Sequence, residues 1–97
     1  MPTEIKQVRD ETRGRTVLRV SGEMFRDDAE LLGRIADGIT QTSGDSVTLD
    51  LADLDLLDSD AAHILRHLAD TQGYSIEGLE VLVQSAIDEA ERHSSSN

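Results

Sequence analysis

Within the stretch Ser46–His67, SVTLDLADLDLLDSDAAHILRH, the hydrophobic period changes from two to between three and four. Val47, Leu49 and Leu51 alternate with Thr48, Asp50 and Ala52, the pattern of a pleated strand. Ala61, Ile64, Leu65, Leu68 and Gln72 then recur at helical spacing. A strand that hands over to a helix in this way predicts a βα unit, and hence parallel pairing with right-handed crossovers. Between the two lies Leu54–Asp60, LDLLDSD, which reads as a loop whose Asp/Ser cluster stands where the helix must start. A short oxygen-bearing side chain there accepts from the unpaired amides of the first turn, so Asp58 or Ser59 can serve as a cap. The same amides, with the positive end of the helix dipole, would also stabilise a phosphate carried by Ser59.

The flanking segments supply the rest of a sheet. Thr3–Arg9 reads as a strand, Glu11-Thr12-Arg13-Gly14 as a turn, and Arg15–Val20 as a clearer strand closed by Ser21–Met24. The short connection predicts an antiparallel hairpin. A helix from Asp27 or Asp28 to about Thr40 follows, with Leu31, Leu32, Ile35, Ala36 and Ile39 as its apolar stripe and Gly44 as its stop. Gly33 and Gly38 weaken that helix by about 1 kcal/mol each relative to Ala, so packing has to hold it. Tyr74–Glu77 reads as a short strand, Leu79–Arg92 as a third helix, and His93–Asn97 as a frayed tail. The expectation is one α/β domain over residues 1–97, with order β-β-α-β-α-β-α and a mixed four-stranded sheet.

This layout resembles the STAS domains, the anti-sigma-factor antagonists and their relatives. Val17–Leu32, VLRVSGEMFRDDAELL, is similar to the second strand, glycine and first-helix entry of that family, and Asp58-Ser59 to its Asp-Ser motif. The family run is Asp-Ser-Ser/Ala-Gly, with the serine after the aspartate as phosphoacceptor. This chain instead has Asp60 and Ala61 after Ser59. The resemblance implies a non-catalytic regulatory module that binds a kinase-type anti-sigma factor and is switched by phosphorylation of Ser59. Other STAS domains are docking subunits of ABC-type transporter complexes, which implies a transporter ATPase as the alternative partner. The partner surface would comprise Leu54, Leu56, Asp58, Ser59, Asp60 and His63.

Composition narrows the partners further. A net charge of −11 repels nucleic acid and anionic membrane surfaces, which leaves neutral or basic protein surfaces. The same acidity also serves solubility, or a salty habitat. With Phe25 and Tyr74 as the only aromatics, a base-stacking platform is excluded. No cysteine is present, so disulfides and thiolate chemistry are absent. No run is long and apolar enough to span a bilayer, and MPTEIKQVRD has no signal-peptide core, so a cytoplasmic protein is expected.

Two further patterns invite chemistry. Asp60, His63, His67 and Asp70 fall on one helical stripe, and a His-x-x-x-His pair can hold a transition metal. A solvated polar face explains the same spacing, so no metal or cofactor is expected and a metal protein or small enzyme stays the remote alternative. The acidic run Asp53–Asp60 lacks the spacing of a calcium loop and reads as an exposed rim, with Leu54 or Leu56 as its apolar contact. Ser59 has no histidine, lysine or arginine beside it in sequence, so it reads as a passive acceptor and not a nucleophile.

Overall fold

A computed structural model describes residues 3–78. Its elements are β1 (Glu4–Asp10), β2 (Arg15–Met24), α1 (Arg26–Ser43), β3 (Ser46–Leu57), α2 (Ser59–Gln72) and β4 (Ser75–Glu77). The strands form one sheet in the order β1-β2-β3-β4, antiparallel between β1 and β2 and parallel thereafter. The mixed four-stranded α/β architecture expected from the sequence is therefore present, with two helices among the described residues. The third helix, Leu79–Arg92, and the tail His93–Asn97 lie outside them.

Because strand order advances in one direction, right-handed crossovers place α1 and α2 on the same face of the sheet. That face carries Leu18 and Val20 of β2 with Val47, Leu49 and Leu51 of β3, and they form one core with Leu32, Ala36, Ala61 and Leu65 of the helices. The alternation read from Arg15–Val20 holds: Thr16, Leu18 and Val20 are buried, whereas Val17 and Arg19 lie on the other face. There Arg19 Nε meets Asp50 Oδ2 at 3.3 Å.

Three local expectations need correction. β2 does not close at Val20 but runs on to Met24, past two register shifts in which β3 carries the extra residue, and Gly22 takes a φ of +87° that favours glycine. That extension gives Asp53, Leu54, Leu56 and Leu57 parallel partners in Ser21, Gly22, Glu23 and Met24. The expected loop Leu54–Asp60 is accordingly strand as far as Leu57, and Asp58 alone separates β3 from α2. Third, the inward stripe of α1 is Ala29, Leu32, Gly33 and Ala36, and Leu31 is 43% exposed. The rotation follows from α2: a Cβ on Gly33 would lie 3.1 Å from Leu68 Cδ1, so this glycine is where the two helices meet.

Both helices end as their sequences require. Gly44 and Gly73 take left-handed conformations and donate to the carbonyls of Thr40 and Ala69. Tyr74, expected to open β4, is instead buried in the connection before it, where its hydroxyl donates to Asp37 of α1. Burial, and then that carboxylate, push the Tyr74 phenol up to about 12.

Candidate functional site

β2 and β3 finish side by side at the carboxyl edge of the sheet, with Met24 paired to Leu57. The amide of Asp58 donates to the Met24 carbonyl at 2.9 Å, which fixes the two chain exits together. Each strand then turns at once into a helix, so the first turns of α1 and α2 open at the same edge. Phe25 caps α1 without a side-chain acceptor; only the reverse contact is made, Phe25 N to Asp28 Oδ2 at 3.0 Å. Asp58 caps α2 and accepts from the Asp60 amide at 3.1 Å. Of the two caps that the sequence allowed, Asp58 is the one used.

Ser59 is therefore the first helical residue of α2, half-buried, and its hydroxyl makes no hydrogen bond among the described residues. It stands in a setting that is both apolar and acidic. Leu56 is 44% exposed, Leu54 is half-buried against Gly22, and Phe25 is 49% exposed. Asp53, Asp55 and Asp60 are exposed around them, with Asp58 half-buried. A phosphate on Ser59 would gain from the free amides and dipole of α2 and lose by repulsion from these carboxylates.

Phe25 was not singled out from the sequence. As the lone phenylalanine it read as part of a helix entry, although an aromatic at a cap position that calls for Ser, Thr, Asp or Asn was the available signal. Asp60, His63, His67 and Asp70 all lie exposed along α2, and among the described residues no three acidic or histidine groups come together to hold a metal.

A second polar cluster, also unread in the sequence, occupies the amino edge of the sheet. Asp45, 5% exposed just before β3, accepts from Arg9 Nε and from Thr16 Oγ1, each at 2.9 Å. The bonds from Arg9 and then Thr16 hold its carboxyl below the usual range despite desolvation. Beside this cluster a groove of about 400 Å³ runs between β1 and α1, lined by Gln7, Arg9, Ile35 and Ile39 among others.

The fold can be matched to solved structures. The described architecture superposes on the crystal structure of an antisigma-factor antagonist, STAS domain, from Rhodobacter sphaeroides, with a TM-score of 0.64. The match covers 86% of this chain and 94% of that chain at 15% sequence identity. No family model and no curated protein matches the sequence. The chain thus has a STAS-like fold, as the strand-helix layout led us to expect.

Proposed function

We propose that the chain is a non-catalytic regulatory module that binds a protein partner through the carboxyl edge around Ser59. The observation that carries this reading is the Ser59 hydroxyl, placed at the start of α2 with Asp58 already capping the helix, at the same edge of the sheet as exposed Phe25 and Leu56. The partner would bury the two apolar side chains, with Asp58, Asp60 and His63 at the rim. By the resemblance, it is a kinase-type anti-sigma factor, which brings ATP and transfers its phosphoryl group to the Ser59 oxygen. The new charge would stand at the same edge of the sheet as Leu56 and Phe25, and a partner's apolar surface that covers them would have to desolvate it, so the complex is released. Asp60, in this scheme, supplies a permanent negative charge that lowers the contrast between the two states. A transporter ATPase is the alternative partner, docking on the same edge with no modification.

Affinity purification of the tagged chain from its host, with mass spectrometry of partners and of the Ser59 peptide, separates these readings. A kinase-type partner, phosphate on Ser59 and a loss of affinity of about tenfold or more in Ser59→Glu are expected. A transporter ATPase with Ser59 unmodified would transfer the reading to docking. Equal affinity of Ser59→Glu and the native chain for the captured kinase would sink the switch.

A further inference from the structure

Among the described residues β1 pairs with β2 alone, so one row of its backbone amides and carbonyls stands unpaired at the sheet edge. The edge belongs to the least acidic stretch of the sequence, although β1 itself is neutral, with Lys6 and Arg9 against Glu4 and Asp10. Lys6, Arg9, Arg13, Arg15 and Arg19 against Glu4, Asp10 and Glu11 give residues 1–20 a net charge of +2, while the remainder carries −13. On the face away from the helices, Val8 is 42% exposed beside its half-buried partner Val17. Lys6 and Asp10 flank Val8 on that face, and Lys6 makes no ion pair among the described residues.

A second copy can pair antiparallel with this edge only in registers that keep each face on its own side, because side chains alternate. Three such registers overlap five residues or more of β1. Centring the axis on Lys6 sets the two lysines against each other, and centring on Gln7 sets Glu4 against Asp10 of the second copy. Like charges directly opposite are unfavourable. Centring on Val8 sets Lys6 against Asp10 twice, and Gln7 against Arg9 on the helix side. It also builds a ladder Val17–Val8–Val8–Val17 across the axis.

We propose that two copies of this chain associate through their β1 edges, antiparallel about a two-fold axis at Val8, into one continuous sheet. The occupant of the edge is a second copy because β1 is self-complementary about Val8, its own sequence supplying the Lys6–Asp10 pairing twice. The neighbouring groove does not compete as a small-ligand site. Arg9 and Thr16 are bound to Asp45 and the Ser43 hydroxyl to the Ile39 carbonyl, which leaves these groups committed within the protein. The Ser59 edge takes no part, so this inference stands independently of the proposed partner.

A strand-edge interface is small, so the dissociation constant is expected on the order of 10–100 µM. Sedimentation equilibrium of the native chain from about 5 µM to 1 mM measures it, with circular dichroism confirming that each variant is folded. Lys6→Asp sets carboxylates against each other and should weaken association about tenfold or more. The exchange Lys6→Asp/Asp10→Lys should restore it to within about threefold. A native chain that stays monomeric throughout overturns the proposal. So does Lys6→Asp dimerising as tightly as the native chain, or an exchange variant that does not recover.

Discussion

Two aspartates bracket β3, and their surroundings differ at every point. Asp45, before the strand, is buried and saturated, with Arg9, Thr16 and the Ser43 region closing around it. Asp58, after the strand, is half-buried and accepts one amide of its own helix. The first ties β1, β2 and β3 together at a distance of 29 and 36 residues along the chain. The carboxylate of the second ties only a single turn. At the amino edge polar groups spend their hydrogen bonds on one another, whereas at the carboxyl edge the Ser59 hydroxyl bonds to none of the described residues and Phe25 and Leu56 stand exposed.

The contrast between packed and presented residues can be broken at its strongest point first. Leu65→Ala, at a fully buried position beneath the first turns of α2, should cost about 2–5 kcal/mol, whereas Leu56→Ser should stay within about 0.5 kcal/mol. Urea denaturation of both variants reads this difference. Comparable losses would mean that Leu56 belongs to the core.

The two aspartates provide the next test. Asp58→Ala should cost about 0.5–2 kcal/mol as a lost cap, with Asp58→Asn almost neutral because asparagine caps as well. Asp45→Asn should not be neutral, since it removes the charge that Arg9 and Thr16 address. With its folded pKa lowered, Asp45 contributes stability above the ordinary aspartate value of about 3.9 and loses it as pH falls through the lowered value. The gap in denaturation midpoint between native and Asp45→Asn should therefore be full at neutral pH and close in acid.

The smallest effect is at the alkaline end. Tyr74 is the sole tyrosine and the chain has no tryptophan, so absorbance at the phenolate band reports it alone. Its raised pKa means that the Asp37 bond supports the fold below about 10 and is lost as pH rises toward about 12. Tyr74→Phe should lack that alkaline dependence. A native midpoint near 10 would place the phenol in water.

The sheet and both described helices were legible because their periods are local: Val47, Leu49 and Leu51 for β3, Ala61, Leu65 and Leu68 for α2. The segment Leu54–Leu57 was misread because alternate aspartates disfavour a strand locally. What makes it a strand is pairing with Gly22, Glu23 and Met24 of β2, partners some thirty residues away. Asp45 escaped for the same reason, since nothing adjacent in sequence announces Arg9 or Thr16. Ser59 was singled out through the Asp-Ser motif and its position before a helix, whereas the choice of Asp58 over Ser59 as the cap depends on the geometry of the β3–α2 junction.

The β1–β2 hairpin has a consequence in time as well as in space. It is the one strand pairing among the described residues that closes over a short turn, Glu11–Gly14; β2–β3 and β3–β4 must each wait for a helical crossover. Hairpins form in roughly 1–10 µs, while non-local parallel pairing is intrinsically slower. The β1 edge is thus the first border of the sheet to form in refolding, ahead of the parallel pairings that the helical crossovers delay.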